Sequence, residues 1–258
     1  MCIAKNFKWK KAVIWTCVLV FWLIVWQIAY CFVGRDLLLA SPFAVFLRIV
    51  ELVKTTGFWR IIGTSFGRIM AGFLLGVLAG TVLGVLSAVW RLVDQLLRLP
   101  MSIIKATPVA SFVILALVWI SGKSLSTFIA FLMVLPMVYQ NVQQGIKSAD
   151  PLLLEATKSY RLSRIKTAHA VYLPAAMPYF LSACRVALGF AWKAGIAGEV
   201  IAIPRDTIGT QLHNAKIYLE TTDLFAWTVV IVVLSVLIEK LFTWLLEKAM
   251  GTWGGGKL

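Results

Sequence analysis

Asp150-Pro-Leu-Leu-Leu-Glu-Ala-Thr157, Lys158-Ser-Tyr-Arg-Leu-Ser-Arg-Ile-Lys166 and Val171-Tyr-Leu-Pro-Ala-Ala-Met-Pro178 follow one another in a chain otherwise dominated by apolar runs. Together they make a long, polar, basic interruption. Asp150 stands where a helix N-cap is expected, and Pro151 at the first helical position, where its missing N–H costs nothing. At the far end, Pro174 and Pro178 predict a break or turn in an incoming helix. The pattern suggests a docking element exposed between membrane-embedded segments.

The rest of the composition fits that setting. Of the 258 residues, 60% are hydrophobic and 14% charged, and the mean hydropathy is +0.88. Soluble domains carry roughly 25% charged residues, so the class is an integral membrane protein. At about 20 apolar residues per crossing, the length accommodates about six membrane helices. The net charge of +14 does not imply nucleic acid. The basic residues stand between apolar runs, as charges that orient helices beside an anionic leaflet do. Cys2, Cys17, Cys31 and Cys184 lack metal-ligand spacing, and three lie inside apolar runs, so buried free thiols are expected. With only His169 and His213, no histidine-rich metal site can be built, and no cofactor is expected on this chain.

Upstream of the quoted stretch, Lys5, Lys8, Lys10 and Lys11 precede an uncharged run from Ala12 to Val33. That run is too long for a signal-peptide core and reads as a retained membrane helix with a cytoplasmic N-terminus. Ser41-Pro42 then starts an outer amphipathic helix, with Phe43, Phe46, Leu47, Val50 and Val53 at helical spacing. A basic amphipathic stretch, Phe58 to Arg68, leads into a second span near Ile69–Trp90. There Gly72, Gly76, Gly80 and Gly84 recur every four residues. Three overlapping GxxxG units form a groove for close approach of another helix, in this chain or in a second one.

A third span is expected over Ile103–Ile120, with Pro108 near its start, and a fourth over Leu125–Val142, containing Pro136. Ser121-Gly-Lys-Ser124 superficially resembles a phosphate loop, but Leu117 occupies the position of the required upstream glycine. No ATP site is present in the sequence. The fifth span is expected over Pro178–Ile203; the sixth begins at Leu224 and ends between Glu239 and Leu246. The expected organisation is an N-terminal part (1–55), a membrane core (56–246) and a short cytoplasmic tail (247–258), disordered from Gly254. With six spans and a cytoplasmic start, fifteen basic residues fall on the inner side and eight on the outer. The Asp150–Pro178 segment and both termini are then cytoplasmic.

At this point the sequence resembles the integral-membrane permeases of bacterial ABC importers. Their cytoplasmic signature is Glu-Ala-Ala, three residues, Gly, nine residues, Ile, one residue, Leu-Pro. Here Glu155-Ala156-Thr157 fills the triplet, Arg161 the glycine, Val171 the isoleucine, and Leu173-Pro174 the end, with every spacing kept. Thr157 and Arg161 depart from the pattern. Glycine would permit a turn between two short helices, so Arg161 predicts a more ordinary backbone or a longer helix. Leu173 to Pro178, Arg185 to Trp192, Glu199 to Ala202 and the Ser41-Pro42 helix resemble the branch handling nitrate, aliphatic sulfonates, taurine and bicarbonate.

The resemblance implies an all-α, polytopic permease with six transmembrane helices and a cytoplasmic coupling helix, in a bacterial cell membrane. It implies ABC ATPase subunits docked below, an extracellular substrate-binding protein above, and a second permease copy, completing a homodimer, in the lipid bilayer. Glu155, Ala156, Thr157, Arg161, Leu173 and Pro174 are the corresponding ATPase-coupling residues. Small Ala156 allows close approach, and the Glu155 carboxylate can meet a basic group on a groove wall.

Charges inside spans are the remaining candidates, because an ionised residue at bilayer depth costs roughly 2.5–3.5 kcal/mol on insertion scales. Arg185 and Glu239 are expected at similar depth and are candidates for a pair bracing an inner gate. Lys193 either lines a path for an anion or is satisfied by snorkelling or a neighbouring helix. Glu199 is expected at the outer end of the fifth span. Nothing resembles a catalytic constellation, so the chain is read as a transport subunit and not an enzyme. An ATP-independent transporter or channel is the rival class, and would show internal repeats or discontinuous helices. A vitamin or its precursor is the alternative substrate class.

Overall fold

A computed structural model describes residues 2–250; among these there are helices and no strand. In chain order they are α1 (Cys2–Val33), α2 (Pro42–Val53), α3 (Thr56–Val89), α4 (Arg91–Ala106), α5 (Val109–Ala116) and α6 (Gly122–Lys147). Then come α7 (Pro151–Ser159), α8 (Arg164–Thr167), a π-helical turn (Ala168–Tyr172), α9 (Leu173–Ala202), α10 (Ile208–Ile217) and α11 (Thr221–Met250). The tail from Gly254 lies outside the described residues.

Five segments are long and apolar enough to cross a membrane: Thr16–Val33, Thr56–Val89, Gly122–Lys147, Arg164–Ala202 and Thr221–Leu246. The expected third span is corrected in form: it is not one straight helix, and counted as one broken span the bent pair that replaces it brings the crossings to six. Its residues are divided between α4 and α5, which are bent by 103° at Thr107-Pro108. Thr107 is extended, at φ −81 and ψ 129, the conformation that the ring of a following proline favours. Pro108 therefore opens a second, eight-residue helix.

The expected break at Pro174 and Pro178 is corrected as well. Pro174 falls in the first turn of α9, where no N–H is needed, and Pro178 lies inside it. The π-helical turn directly before α9 accommodates the change, and the helical path runs on from Arg164 to Ala202. Of the thiols, Cys184 is buried as expected, whereas Cys17 and Cys31 are exposed on α1.

The chain divides into two compact units. One reaches to Trp59 and adds Gln211–Ile231. Its core is Ala40, Val45 and Ala226, packed by Trp26, Ile49 and Phe225. The start of α2 is capped as the sequence predicts, Ser41 Oγ accepting from the Ala44 N–H at 3.1 Å. Arg48 braces the unit with a bidentate grip on Asp223, at 2.5 and 2.9 Å, which raises the guanidinium further above its ordinary range.

The other unit comprises Arg60–Thr210 and the helix from Val232 onward. Here α6 and α9 pack along their lengths, and Val113, Ala116, Leu125, Ile129 and Ala194 form a core between α5, α6 and α9. A second core joins α4 to α6 through Met101, Leu135 and Tyr139.

Candidate functional site

The quoted stretch forms a surface-exposed helix and a tight turn. Asp150 Oδ1 accepts the Leu152 N–H at 2.8 Å, and Pro151 takes the first helical position. Leu152, Leu153, Glu155 and Ala156 are exposed, while Thr157 is buried with its hydroxyl donating to the Leu154 carbonyl at 2.8 Å. An acid and a small residue thus stand beside exposed leucines on a two-turn helix.

The turn after α7 corrects the expectation for Arg161. Its φ is +52°, the left-handed conformation a glycine takes without strain. The Arg161 N–H donates to the Lys158 carbonyl at 3.0 Å and the Leu162 N–H to the Thr157 carbonyl at 2.9 Å. This is a Schellman motif, which satisfies two end carbonyls of α7. A second short helix follows at once, with Ser163 as the cap of α8. Beyond it Val171 is buried, Leu173 half-buried and Pro174 exposed. Arginine at the glycine position therefore keeps the turn and does not lengthen the helix.

Glu199 is within one turn of the end of α9, as expected, yet it is fully buried. Its Oε2 accepts from Ser65 Oγ at 2.8 Å and from the Gly209 N–H at 3.2 Å. Ser65 Oγ in turn accepts from the Ile208 N–H at 2.9 Å. Two orphan N–H groups at the start of α10 are thereby satisfied by side chains of α9 and α3, and the carboxylate lies at the positive end of the α10 dipole. The connection Ile203–Thr207 carries two residues at positive φ, Ile203 at +50° and Asp206 at +57°. Asp206 is fixed by Arg60 at 2.6 Å, and the Thr207 and Thr210 hydroxyls both donate to the Pro204 carbonyl. Glu199 stood out in sequence as an acid inside an apolar run. Its partners Ser65, Ile208 and Gly209 did not, since nothing local links them to it.

The four glycines of α3 face α6 of the same chain. A Cβ on Gly76 would lie 2.7 Å from Val134 Cβ, and one on Gly80 would lie 2.9 Å from the Leu135 carbonyl oxygen. Gly72 meets Thr127 and Ala130, and Gly84 meets Tyr139 and Val142. Arg185 is half-buried on α9 and Glu239 exposed on α11, where it lines an open cavity of about 350 Å³ with Lys240 and Trp244. Lys193 is exposed in the C-terminal third of α9, with no ion pair among the described residues. No group of acids, histidines and cysteines among the described residues is arranged to hold a metal ion.

Residues 72–249 match the model of a protein family, the binding-protein-dependent transport system inner membrane component. The chain is 33% identical over 220 residues to the putative aliphatic sulfonates transport permease protein SsuC of Escherichia coli (strain K12), covering 84% of this chain and 81% of that protein. It is 25% identical over 236 residues to the taurine transport system permease protein TauC of the same organism, covering 89% and 85%. The bicarbonate transport system permease protein CmpB of Synechococcus elongatus matches at 24% over 189 residues, covering 73% and 68%. Among solved structures, the crystal structure of an amino acid ABC transporter with histidines aligns with a TM-score of 0.60 at 17% identity, over 78% of this chain and 94% of that one. At that identity the likeness concerns the fold alone.

Proposed function

We propose that this chain, which belongs to the family of binding-protein-dependent transport system inner membrane components, is the translocation-pathway subunit of an ATP-driven importer for a small anion. The observation that supports it most is α7: an exposed Glu155–Ala156 pair on a short helix, closed by the Arg161 turn, inside the matched residues. A chain whose sequence holds no ATP site needs its energy from another subunit, and a short helix presenting one carboxylate among exposed leucines suits a groove on an ATPase. In this proposal two copies enclose the path, ATPases dock at α7 on the cytoplasmic side, and an extracellular binding protein delivers substrate. Both termini then lie in the cytoplasm.

Sulfonates, taurine and bicarbonate, the substrates in the relatives' names, are the favoured class; nitrate belongs with them on chemical grounds. Lys193 agrees with an anionic cargo. It lies nine residues from the end of α9, about 14 Å at 1.5 Å per residue, too deep for an ammonium to reach the surface easily. An exposed cation at that depth belongs beside a water-filled path. Arg185 and Glu239 are kept as candidates for bracing the inner gate.

Isolation of the native assembly tests the proposal. An ATPase subunit is expected to come with the chain, and vesicles holding the assembly should take up radiolabelled taurine or an alkanesulfonate only with ATP. Uptake without ATP, from a preparation lacking any ATPase, would place the chain among secondary transporters.

A further inference from the structure

The helix α4 has three different faces. Leu97, Met101 and Ile104 turn inward and pack with Leu135 and Tyr139 of α6. Leu92, Leu96, Leu99 and Ile103 recur at i, i+4, i+7 and i+11, and are exposed by 67, 65, 68 and 52%. Arg91, Arg98 and Lys105, seven residues apart, fall on a third stripe and are all exposed. At 100° per residue these stripes lie about 120° from one another. A helix in water does not present an unbroken leucine stripe, and one crossing the bilayer does not present a row of cations.

The bend gives α4 its place. Since α4 and α5 meet at 103°, an α5 running along the membrane normal leaves α4 nearly in the membrane plane. It packs at the C-terminal end of α6, where Lys105 Nζ donates to Gln140 Oε1 at 2.8 Å and Gln143 Nε2 to Asp94 Oδ1 at 2.7 Å. That is the end from which α7 emerges. Between the polar face of α4 and α6 lies an open cavity of about 480 Å³, whose walls include Arg98, Ser102, Gln140, Asn141, Gln144 and Lys147. Lys147 and Gln143 engage Asp94, which also lines the cavity and feels the charge of Arg98, while Arg91 and Arg98 form no ion pair among the described residues.

We propose that α4 is an interfacial helix that binds anionic phospholipid, its leucine stripe among acyl chains and a headgroup phosphate held by Arg98 at the mouth of this cavity. The inference rests on the topology proposed above, which puts the α7 end in the cytoplasm. An anionic lipid matches both free faces at once, offering hydrocarbon to the leucines and phosphate to the arginines. A second copy of the chain fits less well, because α4 offers three exposed cations while its one acid, Asp94, is already engaged by Gln143 and Lys147.

Native mass spectrometry of the purified full-length chain, with phosphatidylglycerol and phosphatidylcholine offered in equal amounts, tests this. Wild type should retain phosphatidylglycerol preferentially, and the preference should fall roughly fivefold for each cation removed in Arg91→Gln and Arg98→Gln. Leu96→Gln/Leu99→Gln, with the cations intact, should lower retention of both lipids. Equal retention of the two lipids by wild type, or an unchanged preference in a folded Arg91→Gln/Arg98→Gln protein, would overturn the assignment. So would displacement of the bound lipid by soluble isethionate, which would make this face part of the solute path. The readout needs neither ATP nor transport, so its failure leaves the importer proposal standing, and failure of the uptake assay leaves the lipid site standing.

Discussion

Ser65 Oγ donates a 2.8 Å hydrogen bond to Glu199 Oε2 across 134 residues of sequence, and both side chains are fully buried. Through this contact the start of α10 is held to α3 and α9. Glu199→Ala would leave the Ser65 hydroxyl and the Gly209 N–H unpaired in the interior, at about 1–3 kcal/mol for each group. The expected result is a loss of about 3 kcal/mol in stability, seen as a lower midpoint in a thermal or denaturant unfolding assay in detergent. Glu199→Gln keeps an acceptor oxygen and should lose about half as much. Equal stability of wild type and Glu199→Ala would show that the contact carries no stability.

Arg161→Gly tests the turn after α7. A left-handed residue with a Cβ carries a penalty of roughly 1–2 kcal/mol that glycine avoids, partly offset by glycine's greater freedom in the unfolded chain. With Arg161 at φ +52° and both turn hydrogen bonds present, the glycine variant should be as stable as wild type or up to about 1 kcal/mol better. Arg161→Val should lose about 1–2 kcal/mol, since branching at Cβ makes positive φ worse. A clear loss in Arg161→Gly would mean that the arginine side chain itself holds the turn.

That turn also marks how far the sequence could be read. The apolar runs, the Asp150-Pro151 and Ser41-Pro42 helix starts and the glycine register were legible because each is a local pattern with one physical meaning. Arg161 misled because the side chain argues against a left-handed backbone, whereas the hydrogen bonds that hold it there close the last turn of α7 on its own carbonyls. Pro178 misled because a proline predicts a break, whereas here it is carried inside α9 without one. Pro108 did break the helix, by 103°, an angle that composition cannot encode. Glu199 was visible as a candidate, but its partners come together only through the packing of α3, α9 and α10.

Glu155→Lys tests coupling. Glu155 is exposed and its side chain forms no ion pair among the described residues, so reversing its charge should leave insertion and unfolding unchanged. Against a basic groove wall on an ATPase, the same change turns attraction into repulsion. ATP-dependent uptake should fall at least about tenfold, with less ATPase retained in pull-down. Normal uptake by Glu155→Lys would remove α7 as the coupling element.

The glycines of α3 permit a comparison within one helix. Gly76 faces α6 so closely that an added Cβ would stand 2.7 Å from Val134 Cβ, inside any real contact. The two helices must separate to admit it, and overpacking of this kind costs about 1–3 kcal/mol. Gly67, earlier in α3, has nothing within 4 Å of the same position. There alanine adds helix propensity, worth up to about 1 kcal/mol, with no clash. Gly76→Ala should therefore lower the unfolding midpoint and Gly67→Ala should raise it or leave it unchanged. If Gly67→Ala proves equally harmful in the native assembly but harmless in the isolated chain, another subunit packs against that face. If both substitutions are harmless in both settings, the close approach of α3 to α6 is not what the glycines are for.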